Sequence, residues 1–432
     1  MKHVVQEVKL KSGARGLLID VPGASVMSFQ FQFRAGNRYV KTKDIYETAH
    51  VMEHLAFGAN AKFKSEHEYE AEFTKNGAYH NAYTSDLSMV YVADCADFEW
   101  ERILDLQRIA ICSPKFNEAE LVAEKGNVRS ELTGYLNNHN RVLWPKIQQL
   151  LGEDILTFWQ RIQTIPNIEI KDVREHYKRT HTAKNMRFVI AGKLTGRKSE
   201  IMRQLEEWDL PEGERFDVPK DEIHKGNATL IRRKEASNLT FGLTMMLPRE
   251  ITDEESDAMD ALDHILTGTM HSRIYGKARS KGLAYGVFSD TSAGFHDSSW
   301  DFGGQVNHDT AGKLFDIIVE EIKCVMNGDI TESELEAAKS YALGRHQMGA
   351  QTAGQISNFY TNRYFADGVV KEYEKVPQSI NAITRDLMVE TASGFINNAT
   401  WVLAGVSSEE KEDIVKLADK LDVLFTDVVH ST

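Results

Sequence analysis

Cysteine is nearly absent from this chain. Three in 432 residues, Cys95, Cys112 and Cys324, cannot close a disulfide framework and show no CxxC spacing. A disulfide-stapled scaffold and a four-cysteine metal site are both excluded, and a reducing compartment is expected. Proline is scarce as well, and two of the eight fall in one charged, weakly periodic stretch, Glu206–Gly226, which marks it as the linker candidate. No run of about 18 apolar residues occurs, and the N-terminal MKHVVQEVKLKSG has no apolar signal core, so a cytoplasmic protein without membrane association is expected. Basic residues are in deficit, 51 against 64 acidic, for a net charge of -13. That balance argues against nucleic acid, whose phosphates need basic patches, and favours basic peptides as partners. GxSxG, GxxxxGK and HExxH are all missing, which removes the serine-hydrolase elbow, the phosphate loop and the ordinary zincin motif.

What is present is length enough for two cores, and the length is written twice. Phe31, Phe33 and Gly58 match Phe241, Leu243 and Gly268 at an offset of 210. NEAELVAEK at 117–125 matches TESELEAAK at 331–339 at 214, and NMRFVIAG at 185–192 matches NATWVLAG at 398–405 at 213. Three anchors in order at a near-constant offset predict a duplicated unit. The expected organisation is an N-terminal domain over 1–208, a linker over 209–226 and a homologous C-terminal domain over 227–432. Periodicity predicts strands near 4–10, 15–21, 26–34, 77–94 and 186–192, and helices near 45–57, 66–76, 97–111, 117–138, 143–162 and 170–180.

The sharpest chemical signal is His50-Val51-Met52-Glu53-His54. On a helix, positions four apart share a face, so His50 and His54 can offer imidazoles to one ion while Glu53 stands beside them as a general base. A zinc site needs a further protein ligand, and the acidic helix that follows places Glu124 and Glu131 two turns apart on one face. Most glutamates there are a solvated face. The repeat separates the cases: Glu118, Glu120, Leu121 and Lys125 match Glu332, Glu334, Leu335 and Lys339, whereas Glu124 and Glu131 match Ala338 and Arg345. The histidine pair is lost in the same copy, with Asp260, Asp263 and His264 at the positions of His50, Glu53 and His54. Metal capacity is therefore expected in the first half alone.

HVMEH followed 77 positions later by Glu131, with Glu124 seven before it, resembles the inverted-zincin peptidases of the pitrilysin, insulin-degrading enzyme and mitochondrial processing peptidase family. The likeness extends to FRAGNRY before the motif, GAYHNAYTS after it and HSRIYGKARSKGLAYGVFS at 271–289. It implies an α+β fold of two homologous α/β rolls, each a mostly antiparallel sheet with helices packed on it, facing each other as a clamshell that favours short or unfolded peptides. It implies one zinc ion per chain, held by His50, His54 and Glu131, with Glu53 as general base and Glu124 orienting a ligand histidine. It also implies that Asn81, Ala82, Tyr83 and Thr84 form the edge strand on which an extended substrate adds, that Arg279 and Tyr285 contact the substrate carbonyl and the developing oxyanion, and that the linker acts as a hinge. The stretch ARSKGLAY is one residue shorter between Arg279 and Tyr285 than the usual form. Either the turn is shortened, or Arg279 is displaced and Arg273 or another group stands in. The competing readings are a non-catalytic scaffold or partner subunit, and a two-chain enzyme; a homodimer or a heterodimer with a related subunit is expected by resemblance.

Overall fold

The computed structural model describes residues 1–398 and 400–426; Ala399 of the third repeat anchor and the C-terminal domain's last stretch, 427–432, lie outside the described residues. The chain forms two compact units. Unit 1 is Met1–Gly134, Phe158–Pro219 and Met348–Tyr373, and unit 2 is Tyr135–Thr157, Lys220–Gln347 and Glu374–Thr432.

In unit 1 the strands β1 (Val4–Lys9), β2 (Arg15–Asp20), β3 (Val26–Phe33), β4 (Tyr79–Thr84), β5 (Met89–Ala96) and β6 (Arg187–Gly192) lie in the order β1-β2-β6-β3-β5-β4. All neighbours are antiparallel except β2 and β6. Unit 2 holds β7 (Thr229–Arg232), β8 (Leu239–Leu247), β9 (Ala284–Ala293), β10 (Ser298–Val306) and β11 (Thr400–Ser407) in the order β7-β11-β8-β10-β9, with β7 and β11 the parallel pair. Apart from β1, the two sheets repeat one order with one set of directions. The anchors fall on matching strands: Phe31 and Phe33 on β3 correspond to Phe241 and Leu243 on β8.

Strands β6 and β8 are buried almost throughout, because both faces of each sheet are covered; β6 accordingly reads as a continuous apolar run, whereas β8, LTFGLTMML, buries Thr240 and Thr244 among its apolar residues. In unit 2, Phe241, Leu243 and Met245 pack against Met259 and Leu262 of the helix Asp253–Leu266 and Leu314 and Ile318 of the helix His308–Met326. Its other face, Val402, Ala404 and Val406, lies under Leu143, Ile147 and Leu151 of the helix His139–Leu151. That helix is written in the first half of the sequence. Conversely, Leu17, Ile19, Val189 and Ala191 of unit 1 lie under Ile356, Tyr360 and Tyr364 of the helix Ala353–Ala366, written in the second half. The two copies have exchanged corresponding helices, and full burial of a side chain such as Ile356 contributes about 1.5–3 kcal/mol.

The sequence predicts one helix over 143–162, whereas the structure has His139–Leu151 and then Phe158–Thr164. Gly152, at φ 102°, caps the first helix in the left-handed conformation, and a Cβ there would stand 2.3 Å from the carbonyl oxygen of Glu222. The break lets the chain pass from one unit to the other. The incoming helix Ala353–Ala366 is tied at its C-terminus: Arg215 donates to the Phe365 carbonyl at 2.8 Å and Arg34 to the Ala366 carbonyl at 2.8 Å. Guanidinium donors suit the negative end of a helix. Burial pushes the Arg215 guanidinium down to about 9, with Arg187 and Arg34 adding to it. Arg215 belongs to the expected linker, so the stretch up to Pro219 is part of unit 1 and the unit boundary falls inside 209–226. Among the described residues no helix is long and apolar enough to cross a membrane.

The second copy uses the position matching Glu53 for structure. Asp263 is buried and accepts hydrogen bonds from Trp300 Nε1 at 2.9 Å and Thr291 Oγ1 at 2.8 Å, which joins its helix to β9 and β10. Burial pushes its carboxyl up to about 7 from 3.8. A folded value above the unfolded one means that the folded state binds the proton more tightly, so its stabilising contribution is full below about pH 4 and is lost as pH rises through 7. Asp263→Asn, which does not titrate, is expected to match wild type near pH 4 and to be more stable above pH 7, by on the order of a few kcal/mol. Thermal melts of both proteins at several pH values check this; a stability difference that does not grow with pH contradicts it.

Candidate metal centre

The motif helix Thr48–Ala56, TAHVMEHLA, mixes good helix formers (Ala, Met, Glu, Leu) with weaker ones and is held by packing: it buries Ala49, Val51, Met52, Leu55 and Ala56, which fixes its rotation. Its C-terminal end is anchored on the acidic helix Glu118–Tyr135. Glu120 accepts the Ala59 N–H at 2.9 Å, and a Cβ on Gly58 would stand 2.8 Å from Glu120 Oε2, so the glycine leaves room for that carboxylate where it now lies. With the two helices joined there, Glu124 and Glu131 come down beside the histidines.

His54 Nδ1 lies 2.9 Å from Glu124 Oε2, and His50 Nδ1 lies 2.8 Å from Glu47 Oε1. A carboxylate accepts, so each ring donates from Nδ1 and presents Nε2 on its other side. Both Nε2 atoms face one oxygen, Glu131 Oε2, at 3.4 Å for His50 and 3.6 Å for His54. One ligand atom from each of the three residues lies within 4.8 Å of the other two, the sole such group of three or more His, Cys, Asp or Glu among the described residues. Donor atoms about 2.0–2.1 Å from a tetrahedral zinc stand about 3.3–3.4 Å apart, so the spacing and the N/N/O donor set fit that ion with a position left open.

The electrostatics point the same way. Burial disfavours the imidazolium of His50, yet Glu131 and Glu47 outweigh it and hold the ring up to about 9. His54 is likewise raised against its burial, to about 10, by Glu124 and Glu131. Positive charge is strongly wanted at this point. Glu53 is half-buried, its Oε2 is shut from solvent without a hydrogen-bond partner, and burial raises its carboxyl although the neighbouring His50 pulls it down. The motif helix packs alongside β4, the edge strand of the sheet, where Asn81 and Tyr83 are exposed, Ala82 is buried and Thr84 lies beside Glu53.

Arg279 and Tyr285 belong to unit 2. Arg279 is the penultimate residue of the helix Arg273–Ser280, Gly282 turns the chain at φ 66°, and Tyr285 is the second residue of β9. The guanidinium stands 4.4 Å from the centroid of the Tyr285 ring, and the tyrosine is 80% exposed. The shortened spacing therefore still brings the two together. Arg273 is engaged elsewhere, in a two-point pair with Glu334 at 2.7 and 2.6 Å.

Two residues of the centre escape sequence reasoning. Glu47 is completely buried, and Arg161 of the helix Phe158–Thr164 grips it through Nε at 2.8 Å and Nη2 at 2.6 Å. An acid three positions before His50 is a helical neighbour and could have been noticed; the arginine 114 positions away could not.

Residues 17–151 match the model of the insulinase family, peptidase family M16, and residues 167–341 match that of the peptidase M16 inactive domain. His50, Glu53, His54, Glu124 and Glu131 all fall in the first stretch. The chain is 30% identical over 176 residues to the human mitochondrial-processing peptidase subunit beta, covering 39% of this chain and 35% of that one, so it spans about a third of that relative's length. It is 22% identical over 417 residues to an uncharacterized zinc protease of Streptomyces coelicolor, covering 89% and 87%. Among solved structures, a protease from Helicobacter pylori has a TM-score of 0.81 at 17% identity over 94% of this chain and 100% of that one. A peptidase M16 inactive domain from Pseudomonas fluorescens also has 0.81 at 17% identity, over 94% and 98%. The fold is thus that of these proteins.

Proposed function

This chain belongs to the insulinase family of peptidases, peptidase family M16, and from that premise we propose that it is a zinc-dependent metalloendopeptidase acting on short or unfolded peptides. The convergence of His50 Nε2, His54 Nε2 and Glu131 Oε2 beside the unpartnered Glu53 Oε2 carries the reading. Those three residues would hold a zinc ion, which when bound would supply Lewis acidity toward a peptide carbonyl and a water. Glu53 takes the proton of the attacking water on Oε2 and delivers it to the leaving amine nitrogen; a carboxyl raised by burial holds that proton better in transit. Glu124 keeps His54 oriented through Nδ1. The free edge of β4 receives the peptide as an added strand, through the backbone of Asn81, Ala82, Tyr83 and Thr84. Arg279 is assigned the substrate carbonyl and Tyr285 the developing oxyanion, and the exposure of Tyr285 leaves its hydroxyl available for that. Basic peptides are the preferred class: Glu66 near the centre is raised by burial and by the close negative charge of Glu124, with Glu70 and Glu120 adding to it.

The name of the model matched by 167–341 favours a second reading, a non-catalytic scaffold or the partner of a related catalytic subunit. That label falls on the copy in which Asp263 has become a structural group, and leaves the first copy's donors intact. The purified chain alone, assayed for zinc and for cleavage of quenched peptides of varied charge, is expected to hold one zinc per chain and to cut, basic sequences best. Tyr285→Phe should lower kcat by about 10²–10³-fold with zinc unchanged. A metal-free chain that cuts nothing gives the scaffold reading, and a zinc-loaded chain that cuts only with a related subunit added gives the two-chain one.

A further inference from the structure

The two ligand histidines are not held alike. His54 is oriented by Glu124, a partly exposed carboxylate whose other contact is the Asn127 amide at 3.1 and 3.2 Å. His50 is oriented by Glu47, which has no exposed surface and whose two oxygens are both occupied: Oε1 by His50 Nδ1 and Arg161 Nη2, Oε2 by Arg161 Nε. The same short helix grips the residue twice, since the Glu47 N–H donates to Thr164 Oγ1 at 3.2 Å and Thr164 in turn donates to the Arg161 carbonyl at 2.8 Å. Arg161 is steadied over the Phe158 ring, 5.0 Å from its centroid. A buried carboxylate clamped by a two-point guanidinium fork has one geometry and one charge state, so it transmits a fixed orientation to whatever it holds. Its negative charge at the head of the motif helix is favoured by the helix dipole as well.

We propose that Glu47 and Arg161 are positioning residues for the metal: they lock His50 as the Nδ1–H tautomer with Nε2 aimed at the ion, making it the pre-set ligand to which His54 and Glu131 adjust. The inference rests on reading the His50, His54 and Glu131 group as a zinc site. It predicts that affinity for the ion, and not only turnover, depends on a pair that touches neither substrate nor metal.

The test is zinc affinity by chelator competition on the full chain, together with the visible absorption of the cobalt(II)-substituted protein. Glu47→Gln/Arg161→Gln removes both charges, the first exchange isosteric and the second shortening the side chain, so no unpaired ion is left buried. It is expected to weaken zinc binding about 10–100-fold and to shift the cobalt bands. Arg161→Lys keeps the charge and loses the fork, and should still cost about tenfold while leaving the thermal melt near wild type. Wild-type zinc affinity and an unchanged cobalt spectrum in the folded double variant overturn the inference, and should that variant fail to fold, the same result in Arg161→Lys does so. Failure of the underlying reading looks different, because the wild-type chain itself then takes up no stoichiometric zinc.

Discussion

Glu53→Gln is expected to lower kcat by about 10²–10⁴-fold while zinc stays at one per chain. The substitution is nearly isosteric, and Glu53 Oε2 has no hydrogen-bond partner to lose, so little else changes. Because burial raises the Glu53 carboxyl, exchanging it for a neutral amide leaves stability unchanged or slightly improved. Loss of turnover with unaltered metal content and an unaltered melt isolates the proton-transfer role. An active, zinc-loaded Glu53→Gln protein would sink the assignment of Glu53 as general base.

Glu131→Gln is expected to weaken zinc binding by more than the roughly 10–100-fold typical of a residue behind the ligands, and to abolish activity with it. The side chain is about a third exposed, so its replacement should not unfold the protein. A second signature is available without metal. Glu131 is among the groups that hold His50 up to about 9 and His54 up to about 10, so both should titrate lower in Glu131→Gln, which NMR of the ring protons reads directly. In wild type the same raised values mean that an entering ion must displace two protons below about pH 9, and zinc affinity should fall by up to a hundredfold per pH unit on acidification. A Glu131→Gln protein that keeps wild-type zinc affinity would remove Glu131 from the ligand set.

The local part of this architecture was legible in the sequence because helical spacing is a local rule. An offset of four from His50 to His54, and of seven from Glu124 to Glu131, places each pair on one face wherever the helix goes. The duplicated topology could be anticipated from apolar anchors repeated at 210–214, since corresponding strands bury the same positions. The burial of β6 was visible as an unbroken apolar run, but what covers it was not, and β8, with Thr240 and Thr244 in it, gave no such signal. A helix apolar on one face packs equally well on either of two similar sheets, and nothing in the periodicity of His139–Leu151 or Ala353–Ala366 states that each crosses to the other copy.

By itself, then, the sequence determined the helix that carries the histidines, the copy that retains metal capacity and the doubled fold, all consequences of spacing within short segments. The tertiary structure alone decided that Glu47 is gripped by Arg161, that Arg279 rather than Arg273 accompanies Tyr285, and that Asp263 became a structural acid. Glu47 with Arg161, Asp263 with Trp300 and the Arg273–Glu334 pair that draws Arg273 away are contacts between groups far apart in the chain. Such contacts depend on the path of the backbone between them, and leave no period in the sequence to read.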